Sequence, residues 1–372
     1  MLFSEVIGQE SAKEQLLLSA VSGKISHAQL FLGKAGFGGL PLALAYIQFI
    51  FCENKQSNDS CGTCPSCRKV VALQHPDLHF SFPTTQAISK TSDGFIELWR
   101  ERLTEKPYFS LNEWLNQMDV KGRRPIIGTQ ESVEIVKKLS LRSFEGGYKV
   151  MLIWMVEEMN TTCANKLLKI IEEPPEKTLF ILIAEDEEKL LKTITSRTQK
   201  KRLSRLSIDS ISEHLRAKHG VNPTKADVIA TRSDGDILES YELLGGIGDK
   251  DENREQFVRL MRVCYKKNVL DMMTWAEEMA ATSREYQKVF LKYALHMFRQ
   301  SMLRNYTDEA LTNASEEEMN FLEKFSRFIT GNNIMDFMQE FNDAHYHIER
   351  NANPKMLFAH LSFQVMRYIH KA

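Results

Sequence analysis

Gly33-Lys34-Ala35-Gly36-Phe37-Gly38-Gly39-Leu40 is the stretch that decides the fold. It keeps the glycine frame of the phosphate-binding loop G-x-x-x-x-G-K-[ST]. Gly39 stands at the lysine position and Leu40 at the position of the magnesium-binding hydroxyl. That lysine supplies charge to the β- and γ-phosphates, and the hydroxyl holds the metal ion. The sequence therefore predicts a phosphate-loop fold in a chain that does not hydrolyse ATP.

The segments on either side of the loop give it the context that such a loop requires. His27 to Leu32 is a short apolar run that predicts a strand, and Leu42 to Phe51 predicts a helix. Apolar runs predict two more buried strands, at Lys149 to Trp154 and at Thr178 to Ile183. Strands that alternate with helices predict a mostly parallel α/β sheet.

The helix between the last two strands has clear start and stop signals. Asn160 can cap it, and Pro174-Pro175 ends it. Its predicted apolar face consists of Ala164, Leu167, Leu168 and Ile171.

The second catalytic motif of such an ATPase is also missing. An acidic pair that holds Mg²⁺ belongs at the end of the strand at 149–154, and the residues there are Trp154 and Met155. Glu157 and Glu158 follow shortly afterwards. They could be functional acids, but a solvated turn before Asn160 is the favoured interpretation.

Cysteines predict a metal site. Two-residue spacing lets neighbouring sulfurs converge on one tetrahedral metal, and such clustering in a reducing compartment favours zinc over disulfides. We therefore expect structural Zn²⁺ on Cys52, Cys61, Cys64 and Cys67. A redox pair or idle thiols are the alternatives. Cys163 and Cys264 lie in apolar helical patterns and are interpreted as core residues.

Composition sets broader limits. A chain of 372 residues is long enough for two or three packed domains. Its 48 Lys and Arg balance 49 Asp and Glu, which argues against a strongly basic, self-sufficient nucleic-acid binder. No cationic leader or apolar segment of membrane-spanning length is evident, so a cytoplasmic location away from membranes is expected.

Several motifs together resemble the clamp-loader branch of the AAA+ proteins. They are the cysteine module, Val6-Ile7-Gly8-Gln9, His27 to Phe31, Thr195 to Thr198, and Asn165 to Pro175 (N-K-L-L-K-I-I-E-E-P-P). The resemblance extends from Met1 to about Leu206 and is weaker beyond. Lost nucleotide motifs combined with a retained Ser-Arg pair resemble the delta-prime subunits of bacterial DNA polymerase III clamp loaders.

The resemblance implies a role for Arg197. Ser196-Arg197-Thr198 matches the Ser-Arg-Cys motif of the family, with threonine in the last place. Arg197, together with Ser196, would be an arginine finger that reaches ATP held by a neighbouring motor subunit. The alternative is an arginine that pairs with a carboxylate at the end of a strand.

The resemblance also implies that the nucleotide sensors are lost. The polar sensor falls near Ala184-Glu185, and the lid arginine falls near Leu238. The degenerate loop, which includes Gly33, Gly38, Gly39 and Leu40, is therefore expected to bind no ATP.

Three domains are expected from the resemblance and from the change to helical patterns after Leu206. They are an α/β AAA+ P-loop core (1–206) with an inserted zinc module (52–67), an all-α lid (207–249), and an all-α collar for oligomerisation (250–372). Gly245 to Asn253 is the predicted linker. An insert at 85–125 departs from the family, and we expect its aromatic helices to pack on the core rather than form a contact surface.

The implied function is a non-catalytic subunit of the DNA polymerase III clamp loader. Its expected partners are the motor (gamma/tau) and delta subunits, and through the complex the sliding clamp and primed DNA. The alternative is a motor-type AAA+ ATPase or nucleotide switch. A zinc-dependent nucleic-acid binder that acts alone is disfavoured by the balanced charge and by the closed metal shell.

Overall fold

The apolar runs beside the glycine loop form a five-stranded parallel sheet. The computed structural model describes residues 1–86, 88–118, 125–244, 250–306, 316–350 and 352–371. Its strands are β1 (Ala28–Leu32), β2 (Leu78–Ser81), β3 (Lys149–Trp154), β4 (Thr178–Ala184) and β5 (Gln199–Arg202). They lie in the order β2-β3-β4-β1-β5, and every neighbouring pair is parallel. The three strands predicted from the sequence are confirmed as β1, β3 and β4.

The register brings the ends of the central strands together. Leu32 of β1 pairs with Ala184 of β4, and Trp154 of β3 pairs with Ile183. In a parallel sheet the carboxyl ends of the strands share one edge, where ligands bind. The residues that follow these strands therefore meet the glycine loop at that edge.

The first of two compact units, Met1–Leu244, contains the sheet and the helices that precede and follow its strands. They are α1 (Glu10–Val21), α2 (Gly39–Phe51), α3 (Pro65–Val71), α4 (Ile96–Glu105), α5 (Leu111–Gln117), α6 (Thr129–Ser140), α7 (Thr161–Glu172), α8 (Lys192–Thr195), α9 (Ile208–His219), α10 (Pro223–Arg232) and α11 (Ile237–Leu244).

The helices predicted after the glycine loop and after Asn160 are confirmed as α2 and α7. Every residue of α2 from Gly39 to Ile50 is buried, so this helix forms part of the core on all its faces. Asn160 caps α7 as predicted, because its Oδ1 accepts a 2.7 Å hydrogen bond from the N–H of Cys163. The apolar residues at Ile126 and Ile127 also suggest a strand, but from residue 125 onward, where the described residues resume, only isolated bridges from Ile126 to Thr84 and from Ile127 to Met159 form there.

The second unit, Gly245–Ala372, is helical throughout its described residues. Its helices are α12 (Lys250–Tyr265), α13 (Val269–Ala281), α14 (Arg284–Tyr306), α15 (Glu316–Phe325), α16 (Ile334–Glu349) and α17 (Pro354–Ile369). They bury a core of their own, which includes Phe257, Phe298 and Trp275. Across the described residues, no helix combines the length and the apolar character needed to cross a bilayer.

Some local expectations in this unit were wrong, and one lies partly outside the residues that the structure describes. Residues 245–249 of the predicted linker lie outside the described residues, and Lys250 to Asn253 form the first turn of α12 instead of a linker. The spacing of Met356, Leu357, His360 and Leu361 in the last helix predicts that these residues are buried, but Met356 is 71% exposed. His360 is an exposed residue beside Glu340 rather than a packed histidine.

Candidate functional site

The glycine loop keeps the shape of a phosphate-binding loop between β1 and α2. The Gly33 N–H donates to the carbonyl of Ala184 at 3.1 Å, which fixes the loop to the end of β4. Gly38 has a φ of +85°, a conformation that favours glycine. A Cβ at Gly38 would lie 3.0 Å from the Tyr108 ring. The loop backbone is therefore intact, but other side chains lie close against it.

Carboxylates occupy the phosphate side of the loop. The N–H of Ala35 donates to Oε1 of Glu185 at 3.1 Å, and the N–H of Glu185 donates to Oε1 of Glu157 at 2.7 Å. Burial, with the charge of Glu157 beside it, raises the pKa of Glu185 to about 7. Burial also raises the pKa of Glu157. The sequence predicted that Glu157 lies in a solvated turn, and its exposure is the part that is wrong. Glu157 is half-buried, and its carboxylate accepts the N–H of Glu185, the residue after β4.

Asp236, which directly precedes α11, adds a third carboxylate. Asp236 caps α11, where its Oδ1 accepts the N–H of Leu238 at 3.0 Å. The same carboxylate lies against Gly36, and a Cβ at that position would collide with it. Leu238, at the expected place of the lid arginine, brings no charge to the loop.

Residues of the insert close the cleft. The space beside the loop is about 10 Å³, which is room for about one water molecule. Its walls include Phe109, Trp154 and Met155. The hydroxyl of Tyr108 accepts a 2.9 Å hydrogen bond from the N–H of Ile7, which ties the insert to the N-terminal segment.

The insert packs on the core, as expected from its aromatic residues. The ring of Trp99 stacks on Phe82 at 4.2 Å and lies 5.2 Å from Trp154, and Phe109 lies 5.0 Å from Trp154. Trp99 and Trp114 are fully buried. Residues 87 and 119–124 of the predicted insert lie outside the described residues. An aromatic cluster therefore stands where an ATPase carries its acidic pair.

Arg197 lies at the surface, just after α8. Its Nε donates to Oε2 of Glu172 at 2.9 Å, and its Nη1 donates to the carbonyl of Thr193 at 3.1 Å. The side chains of Arg197 and Glu172 are 33% and 55% exposed. Such surface pairs contribute about 0–1 kcal/mol. Ser196 Oγ donates to the Thr193 carbonyl at 3.2 Å. The guanidinium thus has a carboxylate partner within the chain that a stronger anion could displace.

The four clustered cysteines converge. Their sulfurs all lie within 4.8 Å of one another, with 3.6 Å between Cys52 and Cys61 and 3.9 Å between Cys61 and Cys67. A tetrahedral zinc site with Zn–S bonds of about 2.3 Å has sulfurs about 3.8 Å apart. The cluster, which Cys64 completes, could therefore hold a metal ion in that geometry.

Backbone N–H groups support the thiolate form that metal binding requires. The N–H of Cys61 points at the sulfur of Cys52 (3.3 Å), and the N–H of Cys64 points at the sulfur of Cys61 (3.4 Å). Hydrogen bonds from the N–H groups of Thr63 and Cys64 lower the pKa of Cys61 to about 6. Burial raises the pKa of Cys67. Cys163 and Cys264 are buried elsewhere, as predicted.

The cysteine module also holds the N-terminal segment. The carboxylate of Asp59 accepts the N–H of Phe3 at 2.9 Å and the N–H of Ser4 at 3.0 Å. The ring of Phe3 lies 6.0 Å from that of Phe49 in α2. The module therefore has a structural connection to the core.

Comparisons with known proteins point to one family. Residues 8–207 match the family described as DNA polymerase III, delta subunit. DNA polymerase III subunit delta' of Bacillus subtilis (strain 168) is 27% identical over 259 residues, which are 70% of this chain and 66% of that protein. DNA polymerase III subunit tau of Escherichia coli (strain K12) is 27% identical over 65% of this chain and 32% of its own length. The chain thus spans less than two-thirds of each of these relatives.

Among solved structures, a gamma subunit-related protein of Thermotoga maritima covers 90% of this chain and 99% of its own. Its TM-score is 0.36 and its identity is 14%.

Proposed function

This chain belongs to the DNA polymerase III delta-subunit family as a delta-prime-type clamp-loader subunit, and we propose that it acts there without hydrolysing ATP itself. In this proposal it binds motor (gamma/tau) and delta subunits and offers Arg197 to ATP held by a neighbouring motor subunit. Through the complex it helps to place the sliding clamp on primed DNA. The observation that carries the proposal is the closed phosphate loop.

Three features of that loop argue against bound nucleotide. The Ala35 N–H already donates to a carboxylate, Asp236 lies against Gly36, and the cleft holds about 10 Å³. Phosphate would meet negative charge where an active loop offers a lysine. The motor-type alternative requires this site to open, so submillimolar ATP affinity of the isolated chain would contradict the proposal.

The proposed finger draws support from the exposure of Arg197. An arginine presented to the phosphates of a neighbour stabilises charge on the phosphoryl group in transfer, and such fingers contribute about 10³- to 10⁵-fold in rate. Phosphate carries more charge than the single carboxylate of Glu172 and accepts the guanidinium at two points. The exchange costs little because the resident pair is a surface pair.

The test is ATP hydrolysis by a loader reconstituted with the host's motor and delta subunits, stimulated by clamp and primed DNA. Arg197→Ala is compared with Arg216→Ala, which removes an exposed arginine from α9. We expect a loss of at least about tenfold with Arg197→Ala, no change with Arg216→Ala, and equal assembly by size. Unchanged hydrolysis in an intact Arg197→Ala complex would make the arginine a structural residue.

We propose that Cys52, Cys61, Cys64 and Cys67 hold one structural Zn²⁺. Four thiolates close a tetrahedral shell and leave no position for substrate. Metal analysis should give one zinc per wild-type chain and per Cys163→Ser chain, since Cys163 lies outside the cluster. Cys64→Ser should lose that zinc, and full zinc content in this variant would contradict the assignment.

The proposed division of labour follows the expected domains. Residues 1–206 form the AAA+ core, 207–249 the lid, and 250–372 the collar through which the subunits assemble. A cytoplasmic location belongs to the same proposal.

A further inference from the structure

The second unit contains a groove for which the proposed function has no role. It runs between α12 and α15, and its volume is about 670 Å³. Aromatic rings join the two helices beneath it, since Phe257 lies 5.9 Å from Phe321 and 5.7 Å from Phe325. Its lining residues come from these two helices and from Lys266, just after α12, so the groove is complete within one unit.

The groove is positively charged. Its lining carries five cationic side chains and two carboxylates, which are Arg254, Arg259, Arg262, Lys266, Lys324, Glu255 and Glu317. At one end Arg254 pairs with Glu317 at 3.0 Å. Arg259 makes a two-point ion pair with Glu278 of α13. The carboxylates therefore lie toward the end where α12 begins.

The other end gathers cations without carboxylates. Arg262, Lys266 and Lys324 are exposed, and within the described part of the chain their side chains make no ion pair or hydrogen bond. Like charges held near one another repel, so this arrangement is unfavourable until an anion neutralises it. Residues three or four apart on a helix lie about 5–6 Å from one another, so Arg259 and Arg262 are neighbours on α12, and Lys266 follows in the turn just after this helix.

We propose that this groove binds the sugar-phosphate backbone of single-stranded nucleic acid. Each nucleotide brings one phosphate whatever its base, and guanidinium and ammonium groups bind phosphate oxygens strongly. Phe321 and Phe325 pack against each other and against Phe257, so the groove offers no free ring for base stacking. Binding is therefore independent of base sequence. An acidic protein segment would need carboxylates at matching positions in its sequence, whereas every nucleotide of a strand carries a phosphate.

The experiment uses the full chain and a fluorescein-labelled 20-nucleotide oligo(dT), with affinity measured by anisotropy across a salt series. The groove variant combines Arg262→Gln, Lys266→Gln and Lys324→Gln. The control combines Lys355→Gln, Arg367→Gln and Lys371→Gln, which removes the same charge from exposed positions in and after α17. Circular dichroism checks that both variants remain helical.

We expect the groove variant to lose at least about tenfold in affinity at low salt, and the control to stay within about twofold. The slope of log affinity against log salt should flatten by about 2, because each lost contact with a single strand removes about 0.7. Equal losses of affinity in both variants would mean that binding depends on the net charge of the protein and not on the groove, and would overturn the proposal. Absence of wild-type binding at about 50 mM salt would overturn it as well. Tighter binding of labelled oligo-glutamate than of oligo(dT) would assign the groove to an acidic protein segment instead.

Discussion

At the phosphate loop, a carboxylate of the chain takes a hydrogen bond that an active loop gives to phosphate. Glu185 accepts the N–H of Ala35, and Glu157 accepts the N–H of Glu185. Burial of the Glu185 carboxylate opposes its ionisation most, and the charges of Glu157 and Asp236 add to this effect, although the residue as a whole is exposed. Glu185, whose pKa is raised, therefore connects the loop to Glu157 through these hydrogen bonds.

Glu185→Gln should therefore stabilise the protein at high pH. The pKa of Glu185 is raised from its ordinary 4.5 to about 7, so between these values the unfolded chain loses a proton that the folded chain keeps. Wild-type stability falls as pH rises through this window. Because solvent screening keeps the effect below about 1 kcal/mol, we expect Tm to rise by about 1–3 °C at pH 8 and to be unchanged near pH 4.

Thermal unfolding at several pH values measures this difference. Glu188→Gln, an exposed neighbour, is the matched control and should show no pH-dependent gain. A constant difference between Glu185→Gln and wild type from pH 4 to pH 8 would contradict the raised pKa.

At the scale of elements, side chains of the insert and Asp236 before α11 close the loop together. Restoring the motif with Gly39→Lys and Leu40→Thr should therefore fail to restore ATP binding, with Kd above about 1 mM by calorimetry. The hydrogen bond from the Ala35 N–H to Glu185 and the contact of Asp236 with Gly36 do not involve the substituted residues. Gly39 and Leu40 line the cleft of about 10 Å³, and a lysine at position 39 adds a side chain there without removing Phe109 from its wall.

A second variant adds Tyr108→Ala and Phe109→Ala to the restored motif, which widens the cleft. Its ATP binding is compared with that of the first variant. Zinc content and circular dichroism check the fold of both variants, since a Cβ at Gly39 would lie 3.1 Å from Leu203. Submillimolar binding by the first variant would mean that nucleotide displaces the insert side chains.

The cysteine module is the second element with a testable connection. Removing the metal with a chelator should speed hydrogen exchange at the amides of Phe3 and Ser4, because Asp59 between the cysteines accepts both. Amides of the buried strand β3 serve as the internal control and should keep their protection. Unchanged exchange at Phe3 and Ser4 would show that the order of the N-terminal segment does not depend on the bound metal.

The elements that the sequence predicted are those with local signals. The apolar runs of β1, β3 and β4, the Asn160 cap and the cysteine spacing are all readable within a few residues. The strand β5 was missed because Gln199–Arg202 is polar and mostly exposed, and only its pairing with β1 makes it a strand. The contacts that close the loop were missed for a related reason. They join residues far apart in the chain, as Tyr108 and Ile7 are, and no local pattern encodes them.

At the scale of the whole molecule, each of the two compact units buries a core of its own. In Met1–Leu244 the core includes the sheet, and Leu182 of β4 is fully buried in it. In Gly245–Ala372 the core lies between helices, and Phe298 of α14 lies 5.4 Å from Phe257 and 4.6 Å from Phe337. Because each core is built from residues of its own unit, each should unfold as a cooperative block.

Calorimetry should therefore resolve two unfolding transitions, and one core substitution should lower only one of them. Phe298→Ala removes a buried ring and should cost about 3–5 kcal/mol, which lowers the transition of the helical unit by roughly 10–20 °C. Leu182→Ala should cost about 2–5 kcal/mol and lower the other transition. Circular dichroism distinguishes the two, since the described part of the second unit is helical and contains no strand. A single transition that both variants shift equally would show that the chain unfolds as one block, and the division into two cores would then have no energetic counterpart.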